Sequence, residues 1–154
     1  MNDVRLYMRD MLPIIREKLN NNGSVSIRVT GQSMQPMIYH MRDSVTISQA
    51  PERLRLYDVP LYQRDDGSVI LHRIVKVNED NTYVCCGDNQ WKKEYGVRQE
   101  QIIGILTSFD RNGKKIDPKK SVGYKLYVYT WPLMHHFKFL YKYLVLPFKK
   151  GGKK

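Results

Sequence analysis

Three side chains in this sequence have the types and the order that acyl-transfer chemistry uses. Ser33 lies in GQSMQP (Gly31–Pro36), His72 in LHRIV and Asp88 in CGDN. A serine hydroxyl is a weak nucleophile at neutral pH and needs a base to take its proton. Neutral imidazole has the basicity for that work. A carboxylate on the far ring nitrogen would fix the tautomer and stabilise the imidazolium that forms. Taken singly, each residue has a plainer reading. GQSMQP and Asp88–Asn89 could be turns, and His72 could be a satisfied histidine inside a barrel. His40 reads as a surface-loop residue, and His135 and His136 belong to a basic, aromatic segment. No metal-ligand spacing, phosphate loop or dinucleotide fingerprint occurs, so neither metal nor cofactor is expected.

These residues need elements to position them. Val25, Ile27 and Val29 alternate with polar residues in SVSIRVT (Ser24–Thr30), which predicts a half-buried strand running into Gly31. Further strands are expected at Ser44–Ser48, Val59–Gln63, Ser68–Val77, Thr82–Cys86 and Gln101–Phe109. Pro60 places the third of the six strands at an edge or a bulge. Asp66–Gly67 predicts a hairpin turn, and Asn112–Gly113 a second, short hairpin. Ahead of the strands, Val4, Met8, Met11, Leu12, Ile15 and Leu19 share one helical face. Pro13 predicts a kink or a restart there, with Asp10 as the cap. Asn20–Gly23 ends the helix. Many short strands with turns at this spacing imply a mainly β chain. The expected fold is a compact, coiled antiparallel barrel with an N-terminal amphipathic helix and a C-terminal aromatic, basic helical segment. The expected divisions are 1–23, 24–121 and 122–154.

The chain has 154 residues, 42% of them apolar, enough for one domain with a real core. Cys85 and Cys86 are the only cysteines. Neighbours on a strand point to opposite faces, so two reduced thiols are expected rather than a bridge. The net charge of +11 is uneven. Residues 1–110 carry 14 basic and 14 acidic residues, whereas residues 111–154 carry 12 basic residues and one acid, Asp117. A cationic end can serve nucleic acid, anionic lipid or solubility. In this one, Thr130 and Pro132 mark an expected helix start. His135, Lys138, Lys142 and Lys149 then share a face opposite Leu133, Phe137, Leu140 and Leu144. Aromatic residues mixed with lysine suit an interfacial helix. No run of about 18 apolar residues supports a membrane span. The charges scattered through MNDVRLYMRD do not make a secretory signal.

Five short stretches, in order, give the sequence a resemblance. Gly31–Pro36 resembles the nucleophile box of the signal peptidase and LexA-type serine peptidase superfamily, a serine followed by methionine and then proline. Arg42–Asp43–Ser44–Val45 resembles its Gly-Asp-x-Val box, with Arg42 in place of glycine. Tyr57–Tyr62 resembles the Gly-Asp-Val-Val-x-Phe strand, again without its glycine. Leu71–Val75 resembles the base-bearing strand, and Gly87–Asp88–Asn89 the Gly-Asp-Asn box. Histidine rather than lysine at position 72 resembles the Ser/His branch, which includes SipW-like, archaeal and endoplasmic-reticulum signal peptidases. The resemblance covers roughly Val25 to Leu106. It implies a coiled all-β catalytic fold, Ser33 as nucleophile, His72 as base, Asp88 as the first choice of assisting acid and Glu94 as the second. It also implies an oxyanion and substrate-binding site around Ser33, with Gly31, Gln32, Met34 and Pro36. The family's membrane anchor is replaced by a short helix, and Gly31 stands where many signal peptidases have a hydroxylic residue.

The expected function is a serine endopeptidase that removes a signal or leader peptide. Its expected partners are an extended peptide or precursor and, through 122–154, an anionic membrane surface on the cytoplasmic side, rather than nucleic acid. One alternative is a LexA-like regulator that cleaves itself, although about 23 residues before the first strand leave little room for a DNA-binding domain. The other is a non-catalytic binding module that works through the basic tail.

Overall fold

The computed structural model describes residues 3–144, with side-chain environments from Met8 to Phe137 apart from Arg9, Met134 and His135. Alternation builds the first strands as expected. In β1 (Ser24–Arg28) Val25 and Ile27 are half-buried, and in β2 (Ser44–Ser48) Val45 and Ile47 are buried. The two pair antiparallel, with Val25 opposite Ile47 and Ile27 opposite Val45. The remaining strands are β3 (Pro60–Gln63), β4 (Val69–Leu71), β5 (Arg73–Val77), β6 (Tyr83–Cys86), β7 (Glu94–Val97), β8 (Ile102–Arg111) and β9 (Lys114–Ile116). One sheet has the order β1-β2-β8-β3-β4, with β9 also on β8, and a second sheet has the order β5-β6-β7. Bulges at Thr46/Ile47 and at Leu61/Tyr62 interrupt the pairing with β8. Such bulges increase local twist and bend a strand, and the larger sheet curls into a half-barrel.

The fold is thus mainly β, with one helix near each end. Its centre is a cluster of Leu54, Tyr62, Ile74, Tyr83, Cys85, Val97 and Ile102. Cys85 and Cys86 are both buried and free. Burial lifts their pKa values to about 12 and about 11, so both remain thiols at neutral pH. Asn112 and Gly113 both have positive φ in the β8–β9 hairpin, the backbone that the Asn-Gly pair is suited to.

Four elements differ from the sequence reading. The run Ser68–Val77 is not one strand. It breaks at His72, where β4 leaves the larger sheet and β5 enters the smaller one. Strand β7 has no counterpart in that reading, because Glu94–Val97 is short and carries a glycine instead of an alternating pattern. The first helix, α1 (Asp3–Asn20), runs unbroken through Pro13, so Asp10 caps nothing. Tertiary packing holds it: Leu12, Ile15 and Leu19 are buried, and α1 lies against β1 and β4. A Cβ at Gly104 of β8 would stand 3.0 Å from Leu19 Cδ1 and 2.6 Å from Ile47 Cγ2, so a glycine there leaves room for the Leu19 side chain. Met11 is exposed rather than part of the buried face, and the side chain of Val4 lies outside the described residues.

The chain divides into two compact units, 1–120 and 121–154. Among its described residues the second holds a helix, α2 (Val122–Leu144), which starts well before the expected Thr130. Ser121 provides the start, its Oγ accepting from the Tyr124 backbone N–H at 3.2 Å. Thr130 lies inside the helix, its hydroxyl bonded back to the carbonyls of Leu126 and Tyr127. Val122, Leu126, Tyr129, Leu133 and Phe137 are all exposed and follow one another at helical spacing on one face. Among the described residues, no helix is long and apolar enough to cross a membrane. Lys149 and the side chains of Lys138, Leu140, Lys142 and Leu144 lie outside the described residues.

Candidate active site

Ser33 sits on a loop that the protein ties down on several sides. Gly31 has φ +115°, a conformation that favours glycine, and its N–H donates to His40 Nδ1 at 2.9 Å. Past the serine, Met34, Met37 and Ile38 are buried, and the Ile38 N–H donates to Met34 O at 2.9 Å. Buried Asp43 closes the loop. Its carboxylate accepts from the Tyr39 backbone N–H at 2.9 Å and from Arg42 Nε at 2.6 Å. The Gly-Asp-Asn turn latches onto the same loop: Asn89 N–H donates to Ser33 O at 2.7 Å, and Asn89 Nδ2 lies 3.5 Å from Gln32 O.

Gly87 shows how near the serine and the histidine lie. A Cβ at Gly87 would meet Ser33 O at 2.8 Å, Ser33 Cβ at 2.9 Å and His72 Nε2 at 3.1 Å. Only a glycine leaves this space open, and Ser33 and the Nε2 edge of His72 flank it. Among the described residues, no hydrogen bond joins Ser33 to His72. Catalytic hydrogen bonds are often long or unformed without substrate.

The opposite ring nitrogen faces a tyrosine. Tyr62 Oη lies 3.4 Å from His72 Nδ1 and donates to Glu94 Oε2 at 2.8 Å. Arg64 grips that carboxylate, with Nε at 2.8 Å from Oε1 and Nη2 at 2.5 Å from Oε2. Burial raises the Tyr62 phenol far above its ordinary pKa, so it stays protonated. Burial also works against the Glu94 carboxylate, but the hydrogen bonds from Arg64 and Tyr62 outweigh it and leave its pKa below normal. His72 is buried, and burial, with the Arg64 charge second, lowers its pKa to about 4. It is therefore neutral at pH 7, the state a general base needs.

Asp88, the first-choice acid, is engaged elsewhere. Its carboxylate accepts two hydrogen bonds from Arg73, each 2.8 Å, from Nε and from Nη2. Both side chains are 0% exposed. Arg73 Nη1 also donates to Tyr57 O at 3.1 Å, and Nη2 contacts Met37 Sδ at 2.9 Å. This pair joins β5, the Gly87–Asn89 turn and the Ser33 loop. The acid on the far side of the His72 ring is Glu94, through Tyr62. Of the expected binding residues, Met34 is buried in the core and the Gly31 N–H donates to His40 Nδ1. Gln32 and Pro36 are exposed beside the serine. Among the described residues, no group of three or more His, Cys, Asp or Glu side chains could hold a metal ion.

No protein-family model and no curated protein matches the chain. The site stands on its geometry, and Tyr62 and Arg64 are the parts that sequence reasoning missed. An aromatic residue in a buried strand reads as core, and an arginine before a turn reads as surface. Their connection appears only when β7 brings Glu94 beside β3.

Proposed function

We propose that the protein is a serine endopeptidase of the signal-peptidase type, with Ser33 as nucleophile and His72 as base. The observation that carries this reading is that Ser33 and His72 Nε2 both border the small space beside Gly87. Ser33 Oγ bonds to the scissile carbonyl carbon while its proton passes to His72 Nε2. The tetrahedral oxyanion is held by the Ser33 backbone N–H and collapses to an acyl-enzyme as the leaving amine takes the proton from Nε2. Water then gives a proton to Nε2 and attacks the ester carbonyl, and collapse of that intermediate frees the acid as Ser33 Oγ takes the proton back from Nε2. The substrate is an extended peptide segment of a precursor, with small residues before the cut. The test is incubation with precursor peptides of that kind, read by mass spectrometry, with Ser33→Ala and His72→Ala as controls. Cleavage by the wild type and its loss in both variants supports the reading. Normal cleavage by Ser33→Ala removes Ser33 from the mechanism. Cleavage only within the chain itself would favour a self-cleaving regulator.

The same protein works at an anionic membrane surface, which α2 contacts without crossing. The exposed stripe from Val122 to Phe137 supplies apolar area, and the +11 of residues 111–154 supplies attraction to acidic headgroups. Each lysine near such a surface adds about 1 kcal/mol, screened beyond a Debye length. Sedimentation with anionic vesicles should retain the full chain, less so with rising salt, whereas a chain ending near Val122 should stay in solution. Equal binding to neutral vesicles at high salt, or no binding to either, would overturn this. Lipid binding by a wild type that cleaves no precursor would favour a non-catalytic binding module.

A further inference from the structure

We infer that Tyr62 is a positioning residue, which carries the charge of Glu94 to His72 and sets the tautomer that makes Nε2 the base. The inference rests on the peptidase reading for its kinetic consequence, but not for its structural content. It follows from counting protons. Tyr62 has one hydroxyl proton, and Glu94 Oε2, at 2.8 Å, takes it. Glu94 is ionised and can only accept, and Arg64 supplies donors to both of its oxygens. The side of the phenolic oxygen turned toward His72 therefore offers lone pairs. A bare ring nitrogen facing them would be repelled, so Nδ1 carries the hydrogen and donates it to Tyr62 Oη. Nε2, the nitrogen on the side of Ser33, is left unprotonated and able to accept.

The arrangement also explains why the carboxylate stands one residue away from the ring. A carboxylate touching the imidazole would stabilise the imidazolium directly. Here the phenol separates the two, and Arg64 offsets part of the Glu94 charge, so the histidine is oriented while it remains neutral. At 3.4 Å the contact between Tyr62 and His72 is loose, and it shortens when the ring gains positive charge during proton transfer. Tyr62 itself has a rigid seat in the core cluster, where it is fully buried with its ring edge-on to the imidazole.

The experiment reads the two nitrogens directly, by ¹⁵N NMR of histidine-labelled full-length protein at pH 7, alongside cleavage kinetics. In the wild type, the His72 resonances should be those of a neutral ring with hydrogen on Nδ1. Tyr62→Phe keeps the core volume and removes the acceptor. It should release the tautomer and lower kcat about 10-fold with little change in KM. Glu94→Leu frees the tyrosine proton to turn toward Nδ1. It should lock the hydrogen on Nε2 and lower kcat about 100-fold, more than removal of the hydroxyl. If the tyrosine served only to fill the core, Tyr62→Phe would leave the tautomer unmoved. A wild-type ring with hydrogen on Nε2, or a Tyr62→Phe ring still fixed on Nδ1, overturns the inference. If the tautomer behaves as expected but the wild type cleaves nothing, the peptidase reading fails and the role of Tyr62 in setting the ring stands.

Discussion

Two carboxylate–arginine pairs flank the same histidine, and they differ in burial. Asp88 and Arg73 have no exposed side-chain surface and hold each other through two 2.8 Å bonds. Glu94 and Arg64 are 25% and 36% exposed, and their carboxylate also takes the Tyr62 hydroxyl. A buried pair cannot lose one member without stranding the other charge in a dry interior. A half-exposed pair can, because water replaces the missing partner. The first pair therefore acts as a structural tie between three segments of the site. The second can set the electrostatics of His72 at little cost to the fold.

The largest expected effect breaks the buried pair. Asp88→Ala should destabilise the protein by about 3–5 kcal/mol in urea titrations, and Arg73→Ala similarly. Glu94→Gln and Arg64→Ala should each change stability by about 1 kcal/mol or less, since exposed pairs contribute little. Equal losses on the two sides would erase the distinction.

Next in size is the acid response of His72. Its folded pKa of about 4 lies below the ordinary value of 6.5, so the unfolded chain binds the proton first as pH falls. Stability should be level above pH 6.5 and should fall by about 3 kcal/mol between pH 6.5 and pH 4 from this residue alone. His72→Gln should flatten that part of a stability–pH curve, and a slope that survives would place the titrating group elsewhere.

On the peptidase reading, smaller and opposite shifts are expected in the acid limb of kcat/KM, which should lie near pH 4 in the wild type. Arg64 lowers the His72 pKa, so Arg64→Ala should move the limb to higher pH. Glu94 raises it, so Glu94→Gln should move the limb lower. Shifts in the same direction would show that the partly exposed pair does not tune His72.

The smallest effect is at Tyr57, whose carbonyl is a third partner of Arg73 and whose φ is +71°. A non-glycine residue is strained there, and Tyr57→Gly should stabilise by up to about 1 kcal/mol in thermal unfolding. A clear destabilisation would mean that the tyrosine ring matters more to the buried side than its backbone strain.

Some of this protein was legible as text. Alternation in SVTIS placed β2, because burial of one face of a strand leaves a period of two in the residues themselves. Asn112–Gly113 announced its turn, since few other pairs accept positive φ twice. The stretches holding Ser33, His72 and Asp88 were also visible, as residue types in a suitable order, whereas Glu94 came only with the resemblance. The break at His72 was not. SVILHRIVKV reads as one strand, and only the closing of two sheets on each other decides where it changes partners. The course of α1 through Pro13 is likewise a matter of packing, because local rules favour a break that buried Leu12, Ile15 and Leu19 override.

The choice of acid shows the same division most sharply. Sequence placed Asp88 in the better-matching box and left Glu94 second, and nothing local could reverse that order. What reversed it was the position of two arginines. Arg73, fully buried, takes both Asp88 oxygens, and β7 carries Glu94 to Tyr62, which lies 32 positions earlier in the chain. Which charge meets which ring nitrogen depends on distances of a few ångströms between strands far apart in sequence. Residue types and local periodicity carry no record of those distances. Sequence alone therefore determined the candidate chemistry and most of the strands. Tertiary structure decided which carboxylate reaches the Nδ1 side of His72, and that the contact passes through a tyrosine.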